Sequence, residues 1–573
     1  MYTKLVNLPK KKERRLLPHS LNFESWDSLK PYFDALLHFP INTIDELKQW
    51  LQDEDELCSV LSEHGAWLYI NMNCDTNNET FWEAYDHYYE NIEPNFKPYY
   101  HNFNKKLIAS PLVTELGTDY KVVLRSIKNE IELFRKENIP LFSKLQIDEQ
   151  KYGNITSKMM VEVDGKELTL QQASVFLKSL DRVKRKEVYH KIINEKVKGY
   201  DELNTLFSLM LKNRHRVAVN AGFNNFRDYE FSALNRFDYT KEDCFAFHDV
   251  VRAEVLPIIS SIDENRRKKL KLDTLKPWDT EVDSDQLPPL HPVSSSEELI
   301  EKSVKCFNKI LPYFGECLEV MKKMKRLDLD SRKGKAPGGF NFPLSETLVP
   351  FIYMNSAGTL RDVVTMMHEG GHAIHSFLCK DLPLDELKNT SSEVAELASM
   401  SMELISMEHW DVFFKDENEL KRAKREQLEK IIKTFPSVMT VDKFQHWIYE
   451  NPKHSGAERE LKWNEITSEF SAKVVDWSEQ ENVKGKLWQS YLHIFEVPFY
   501  YIEYAMAQLG AIAVWRNYKK NPTLALNNYI AALKLGNTRT IPEIYKTAGI
   551  EFNFSRAYVK ELTHFVNDEL NKL

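Results

Sequence analysis

The sequence predicts a mainly α-helical protein with a few small β-sheets. Glycine and proline number only 18 and 23 among 573 residues, so long stretches carry neither helix breaker. Apolar residues recur along many of these stretches at the spacing of one helix face, whereas the alternation of a half-buried strand is found in few places. A large helical body built from many segments is therefore expected.

The composition excludes several other classes of protein. Hydrophobic residues make up 42% of the chain and charged residues 28%, the balance of a globular protein that buries several cores. The net charge of −8, with both signs interspersed, argues against a nucleic-acid-binding surface, which needs a basic patch. The basic run at residues 10–15 is the one candidate, and we expect it to be a solvated tail.

No targeting or membrane segment is predicted. Residues 1–18 are basic but lack the apolar core of a secretory signal, and no run of ~18 apolar residues indicates a transmembrane helix. The six cysteines are scattered without CxxC spacing, which favours reduced thiols. We therefore expect a cytoplasmic protein that does not bind membranes.

Two regions favour strands and one favours a long loop. Residues 158–163 alternate before an Asp164-Gly165 turn, and residues 338–342 and 348–355 form a second candidate pair. Residues 273–296 are rich in Pro, Asp and Ser and show little periodicity. They are expected to form a surface loop or linker.

The helix predicted over residues 360–379 combines an apolar side with a polar ridge of three histidines. Within it, the run from His368 to His372 reads HEGGH. Histidines at i and i+4 lie over each other on one face, within reach of one tetrahedral zinc at Zn–N distances of ~2.0–2.1 Å. Glu369 lies beside the ridge, which suits a base for a metal-bound water better than a ligand. The two adjacent glycines of this run cost about 1–2 kcal/mol inside a helix, so stability does not explain them.

The third ligand must come from outside this run. His375 shares the ridge but stands about 4.5 Å beyond the second zinc histidine, so we expect it to form hydrogen bonds or face substrate. A helix predicted from near Thr390 offers Glu393, Glu396 and Glu403. The spacing of Thr390 and Glu393 is that of a capping box, which explains Glu393 structurally. Glu396 lies among apolar residues without such a reason, so it is the predicted ligand, while Glu403 either orients a ligand histidine or is a surface carboxylate.

Several further segments of the sequence carry recognisable motifs, which become specific in combination with the HExxH run. They are VDGKELTLQQASVFLKSLDRVKR (163–185), AGFNNFRDYEFSALNRFDYT (221–240), APGGFNFPL, VAELASMSME and VPFYYIEYAMAQLGA (497–511). With these motifs the sequence resembles the oligoendopeptidase F and thimet oligopeptidase family of zinc metallopeptidases, and looks closest to its bacterial Pz-peptidase-like branch. The resemblance covers most of the chain.

The resemblance implies a large two-lobed helical metallopeptidase of the zincin type with a deep substrate channel. It implies an N-terminal helical lobe over residues 1–195 and a catalytic domain with the HExxH run over residues 196–573. One zinc per chain is expected, with Glu396 as the third ligand beside His368 and His372. Such a channel admits short unfolded peptides and excludes folded proteins.

The resemblance also implies substrate-binding residues on a late helix. His493, Tyr501 and Tyr504 match the stretch in which family members bind substrate and stabilise the oxyanion. A tyrosine that the family carries just before this helix has no counterpart at residues 496–497. Tyr500 either replaces it or is a core aromatic.

Two other positions admit a functional and a structural interpretation. Gly338 and Gly339 suit an edge strand that a substrate backbone approaches closely, or else a simple turn. His446 is interpreted as a hydrogen-bonded core histidine, and we do not place it in the site.

The predicted function is hydrolysis of internal peptide bonds in short oligopeptides. The zinc lowers the pKa of a bound water, and Glu369 takes the water proton as general base. The alternatives are an exopeptidase similar to dipeptidyl carboxypeptidases and, disfavoured by the complete metal site, a non-catalytic peptide-binding protein. Oligopeptides are the expected partners, without nucleic acid or membrane, and the choice between monomer and homo-oligomer stays open.

Overall fold

The computed structural model describes residues 8–9 and 11–573 of the chain. Within these residues the protein is mainly α-helical, as predicted, with 25 α-helices and five short β-strands. In the same part of the chain, no helix is both long enough and apolar enough to span a bilayer.

The helices follow one another along the whole described chain. Those before the HExxH run are α1 (Trp26–His38), α2 (Ile44–Cys74), α3 (Glu79–His87), α4 (Phe96–Ala109), α5 (Lys121–Leu133), α6 (Ile139–Thr156), α7 (Leu170–Ser174), α8 (Arg182–Lys198), α9 (Tyr200–Asn220), α10 (Phe226–Ala233), α11 (Lys241–Glu254), α12 (Leu256–Lys269), α13 (Ser296–Ile310) and α14 (Pro312–Lys323). The remaining helices are α15 (Leu360–Cys379), α16 (Asp385–Lys388), α17 (Ser392–Met407), α18 (Glu417–Glu450), α19 (Gly456–Glu469), α20 (Glu481–Lys484), α21 (Leu492–Glu496), α22 (Tyr501–Lys520), α23 (Pro522–Leu533), α24 (Ile541–Thr547) and α25 (Arg556–Asn571).

The strands form two small sheets, and each sheet contains a region that the sequence indicated. They are β1 (Met160–Val163), β2 (Lys166–Thr169), β3 (Leu327–Asp330), β4 (Phe340–Phe342) and β5 (Phe351–Ser356). Strands β1 and β2 pair antiparallel across Asp164 and Gly165, whose φ angles of 53° and 75° are typical of a type I′ hairpin turn. Strands β4 and β5 pair with each other as predicted, and they run antiparallel. Strand β3, which was not predicted, runs parallel along the other side of β5. The order β3-β5-β4 leaves β4 at a sheet edge.

Two hydrophobic cores give the molecule its two lobes. One core is formed mainly by α1, α2, α4 and α5, and it also takes in Leu384 and Leu387. The other is larger and draws its buried side chains from α6 and from most of the helices after α8. A small cluster joins α2 of the first lobe to β5 through Ile70 and Tyr353. The exact division of the chain at residue 195 stays a prediction.

Two segments expected at the surface are more firmly held than predicted. In the basic run, Lys10 lies outside the described residues, but Arg14 Nε donates to Glu346 Oε1 (2.7 Å), so the run is not a free tail. The chain between α12 and α13 contains neither an α-helix nor a named strand, as a loop should. Nevertheless Trp278 and Asp279 in this loop are buried, and Arg185 Nη2 donates to Asp279 Oδ1 (2.9 Å). A buried carboxylate requires such a cationic donor.

The two glycines of the HExxH run let α15 pack closely against its neighbours. A Cβ atom on Gly370 would come within 2.5 Å of Phe307 Cζ in α13, and one on Gly371 within 2.7 Å of Ser399 Cα in α17. Close helix contact therefore explains why glycine stands at positions where its helix propensity is poor. The same contact brings Glu396 of α17 towards the histidines of α15.

Candidate active site

Helix α15 presents its polar ridge to a cavity. The helix begins at a capping box in which Asp362 Oδ2 accepts from the Thr359 backbone N–H (2.6 Å) and hydroxyl (3.0 Å). About two and three turns further on, His368 and His372 line the cavity. Their rings lie 4.9 Å apart, centroid to centroid, and meet at 85°.

Helix α17 places Glu396 against these two histidines. Its Oε2 atom lies 3.3 Å from His368 Nε2, and its Oε1 atom lies 3.8 Å from His372 Nε2. One potential ligand atom from each of the three residues lies within 4.8 Å of the others. Burial opposes ionisation of Glu396, but the two histidines and a hydrogen bond from Tyr500 outweigh it and lower the pKa of Glu396 to about 2. Burial lowers the pKa of His372 to about 4, so a carboxylate and a neutral imidazole are available to a cation.

Glu403 orients the first histidine. His368 Nδ1 lies 2.7 Å from Glu403 Oε1, and Gln427 Nε2 donates to Glu403 Oε2 (2.8 Å). Of the two interpretations that the sequence left open for Glu403, the structure supports the orienting one. A histidine whose Nδ1 is engaged in this way has its Nε2 left for a metal.

Glu403→Gln is expected to weaken zinc binding by about 10–100-fold, because a neutral amide holds the imidazole less firmly and makes its Nε2 less basic. Competition with a chromophoric chelator measures this affinity. Glu408→Gln is the matched control, since Glu408 follows the same helix but accepts from Trp515 Nε1 (2.9 Å) instead. Wild-type affinity in Glu403→Gln would contradict the orienting role.

Glu393 is structural, although not for the predicted reason. Helix α17 begins at Ser392, and no side chain caps it at Ser391, so the predicted Thr390–Glu393 capping box is wrong. Glu393 is 3% exposed, and its Oε1 atom accepts from the Tyr239 hydroxyl (2.7 Å). Its carboxylate is therefore committed to a partner in the core.

Glu369 and His375 are buried side chains in the wall of the same cavity. Burial raises the pKa of Glu369 to about 7, the range in which a carboxyl group exchanges protons at neutral pH. His375 lies outside the three-ligand group, and its Nε2 atom has no hydrogen-bond partner among the described residues. Burial lowers the pKa of His375 to about 4, so its imidazole is neutral.

The segment from α21 to the start of α22 forms the facing wall. His493 Nε2 lies 2.9 Å from the Tyr504 hydroxyl, and the Tyr500 hydroxyl donates to Glu396 Oε1 (2.6 Å). All three line the cavity, so Tyr500 faces this space and is not a plain core aromatic. Tyr501 is not among the described residues that line it; its ring packs edge-on against Tyr491 and His493 at centroid distances of 5.7 and 5.0 Å.

Buried polar side chains hold the backbone of this segment, and none of them was predicted. Arg214 Nη1 donates to the Ile494 carbonyl (3.1 Å), and Arg236 Nη2 donates to the Phe499 carbonyl (2.5 Å). Gln445 Oε1 accepts from the Phe499 N–H (3.0 Å), at a residue whose φ of 65° is unusual for a bulky side chain. For Arg214 the signal in the sequence was an arginine on an otherwise apolar face of α9, which needs buried acceptors, whereas Arg236 lies in the loop after α10 and gave no such signal.

The cavity that joins these residues has a volume of about 420 Å³. Its wall includes Tyr69 and Asn73 of α2 and Gly153 of α6, as well as the residues of α15, α17 and α22. Both lobes therefore bound the space in front of the histidines.

Two family models match the chain. Peptidase family M3 covers residues 175–564, and the Peptidase M3 N-terminal domain covers residues 21–134. An oligoendopeptidase F homolog of Borreliella burgdorferi is 25% identical over 72% of this chain and 68% of its own length. Oligopeptidase PepF of Bacillus subtilis is 22% identical over 70% of this chain and 59% of its own length.

Solved structures share the fold over nearly the whole chain. Pz peptidase A with an inhibitor has a TM-score of 0.91 at 25% identity, covering 97% of this chain and 98% of that one. Oligoendopeptidase-F from Enterococcus faecium has a TM-score of 0.64 at 15% identity, covering 96% and 97%. These comparisons confirm the resemblance inferred from the motifs. Because the family model spans most of the chain, including the HExxH helix and the segment that faces it, this chain belongs to peptidase family M3.

Proposed function

We propose that the chain is a zinc metalloendopeptidase that hydrolyses internal peptide bonds of short oligopeptides. The observation that carries the proposal is the convergence of His368, His372 and Glu396 in the cavity wall, with Glu369 beside them. Membership of a peptidase family and the names of the oligoendopeptidase F relatives support the choice of substrate. A cavity bounded by both lobes suits a flexible peptide better than a folded protein.

The three residues fit zinc by their donor chemistry. Two imidazole nitrogens and one carboxylate make up a known donor set of catalytic zinc, which keeps a further position open. The contact of His368 Nδ1 with Glu403 leaves Nε2 for the metal, as such sites require. When bound there, zinc supplies a Lewis acid that acidifies water and polarises a substrate carbonyl.

Glu369 is the proposed proton carrier. As general base it accepts a proton from the attacking water, and as general acid it delivers that proton to the leaving amine. Its raised pKa of about 7 suits both directions of transfer near neutral pH.

His493 and Tyr504 are the proposed donors to the oxyanion that forms on the substrate. Burial raises the pKa of Tyr504 well above its usual value, so the hydroxyl keeps its proton and remains a donor. Tyr500 is a third candidate, since its hydroxyl reaches Glu396 at the centre of the site. The role implied for Tyr501 stays a prediction.

Tyr504→Phe is expected to lower kcat by about 10²–10³-fold, because one donor to the developing negative charge is removed. Steady-state kinetics on a fluorogenic oligopeptide measure kcat and KM separately. Tyr501→Phe is the matched control, and we expect a smaller loss because its ring lies off the cavity wall. An equal loss of kcat in both variants would contradict this distinction.

Edge strand β4 is the proposed docking site for the substrate backbone. Gly338, Gly339 and Asn341 line the cavity, and the strand order leaves one side of β4 unpaired. A Cβ atom on Gly339 would lie 3.6 Å from Glu369 Oε1, so the strand passes close to the proposed base. A peptide added to this edge by main-chain hydrogen bonds would place its scissile bond near Glu369. The open edge and the short distance to Glu369 support the interpretation of Gly338 and Gly339 as part of an edge strand that substrate approaches, over that of a simple turn.

One observation keeps the exopeptidase alternative open. Lys388 lines the cavity, and its Nζ atom has no hydrogen-bond partner among the described residues. A dipeptidyl carboxypeptidase needs a cation of this kind to bind a terminal carboxylate. An endopeptidase does not depend on one.

Digestion of a mixed peptide library, read by mass spectrometry, tests the proposal. Half of the library carries acetylated N-termini and amidated C-termini. Internal cleavage of the blocked peptides is the expected result, and release of dipeptides from free C-termini alone would establish the exopeptidase instead. Lys388→Gln serves as the comparison, since it should alter cleavage only if a terminal carboxylate is bound. If the zinc-loaded protein cleaves none of the peptides, both the endopeptidase and the exopeptidase hypotheses are wrong.

A further inference from the structure

A second group of metal-binding side chains is buried away from the peptidase site. Cys244 and Asp442 are 0% exposed and His446 is 2% exposed. One potential ligand atom from each lies within 4.8 Å of the others, the same spacing that the catalytic group keeps. Among the described residues, these two groups are the ones that meet this condition.

The group is built from two helices that pack against each other, α11 and α18. Cys244 and His248 stand one turn apart on α11, and Asp442 and His446 stand one turn apart on α18. Residues at i and i+4 share a helix face, so each helix turns a pair of ligand types towards the other. His248 Nε2 lies 2.7 Å from Asp442 Oδ2, and His446 Nε2 lies 3.3 Å from the same oxygen.

Two polar atoms of this group are free to bind a further partner. Asp442 Oδ1 and His446 Nδ1 have no hydrogen-bond partner among the described residues. The surroundings are aromatic: Phe245 and Phe499 lie 4.7 and 5.2 Å from the His446 ring, centroid to centroid. Fully buried polar atoms without partners are rare, and each needs an explanation in a native protein. A carboxylate in such surroundings is stabilised by a cation.

We propose that Cys244, Asp442 and His446 bind a second divalent metal ion of the zinc class, with His248 as a positioning residue that holds Asp442. Sulfur, nitrogen and oxygen donors together suit Zn²⁺ and its substitute Co²⁺, whereas Mg²⁺ and Ca²⁺ require oxygen ligands. Small side-chain movements close the group to bond lengths of ~2.0–2.3 Å. The positive charge of the ion would compensate the buried Asp442 carboxylate.

The position of this site indicates a structural role. Neither α11 nor α18 contributes a residue to the described wall of the peptidase cavity. Gln445 precedes His446 on α18 and accepts a hydrogen bond from the Phe499 N–H. The His446 ring packs on the Phe499 ring. The metal would therefore tie α11 to α18 behind the segment that carries Tyr500.

Metal analysis of the full-length protein tests the proposal. After incubation with excess ZnCl₂ and removal of free zinc, we expect about two equivalents per chain in the wild type and about one in Cys244→Ser. Glu396→Gln, which removes a catalytic ligand, should also retain about one equivalent, and the double variant almost none. Cys306→Ser is the matched control, because Cys306 is equally buried but lies outside the group. About one equivalent in the wild type that Glu396→Gln abolishes would overturn the proposal.

Cobalt substitution gives a second readout, which tests the site in the wild type even when Cys244→Ser does not fold. The catalytic ligands contain no sulfur, so a thiolate-to-cobalt charge-transfer band in the near ultraviolet reports the second site alone. We expect this band in the Co²⁺-loaded wild type, in Glu396→Gln and in Cys306→Ser. It should be absent from Cys244→Ser. A wild type that binds Co²⁺ without this band, or a band that persists in Cys244→Ser, would overturn the assignment.

Discussion

Replacing Glu369 with glutamine is expected to lower kcat by about 10²–10⁴-fold while the catalytic zinc stays bound. Glutamine has nearly the same shape as glutamate, but its amide does not take up a proton at neutral pH. Glu369 does not belong to the group formed by His368, His372 and Glu396, so this change leaves the ligands in place. Hydrolysis of a fluorogenic oligopeptide measures kcat, and mass spectrometry of the metal content measures zinc.

Glu369→Asp provides the comparison for this variant. Its carboxylate remains basic but is withdrawn from the water by one methylene, so we expect activity between that of the wild type and that of Glu369→Gln. A kcat for Glu369→Gln within about tenfold of the wild type, at full zinc content, would exclude Glu369 as the base. Loss of zinc from Glu369→Gln would show that it holds the metal instead.

Glu396→Gln is expected to abolish peptidase activity and to weaken zinc binding at the catalytic site by more than about 100-fold. This loss exceeds the one expected for Glu403→Gln, because Glu403 contacts a ligand histidine and not the metal. The change removes the negative charge that lies between His368 and His372 and leaves a neutral amide in a buried position. Zinc titration monitored by calorimetry measures the affinity. The Cys244-containing site would bind independently, so the loss applies to one of the two binding events.

Glu393→Gln is the matched control on the same helix. Glu393 lies one turn before Glu396 and is as deeply buried, at 3% against 2% exposure. Because Glu393 accepts from Tyr239, this variant should lower the free energy of unfolding by about 1–3 kcal/mol without altering zinc affinity. Equal zinc loss in both variants would mean that the effect of Glu396→Gln is general destabilisation.

Much of the site could be predicted because its pattern is local. The spacing of His368 and His372 decides that both face one side of α15, whatever the helix packs against. The character of Glu396, a carboxylate among apolar neighbours, and the family resemblance both singled it out before its contacts were known. The β1–β2 hairpin was equally local, since its Asp-Gly turn specifies the register of the two strands.

The errors share one cause, which is that a polar side chain has several possible partners. Glu393 had capping-box spacing from Thr390, but its partner is Tyr239, 154 positions away in the chain. The basic run at residues 10–15 resembled a free tail, yet Arg14 reaches Glu346 across 332 positions. A local pattern cannot exclude partners that the fold brings from a distance.

The helical class, the two-histidine face of α15 and the hydrolytic chemistry expected there follow from local sequence, because period and residue type are properties of short segments. Which helix faces meet depends on the tertiary fold. It set Glu403 behind His368, joined the Tyr500 hydroxyl to Glu396 across 104 positions, and buried Cys244 against Asp442. Such contacts between distant segments arise only when the whole core packs, because close packing admits few arrangements of the helices.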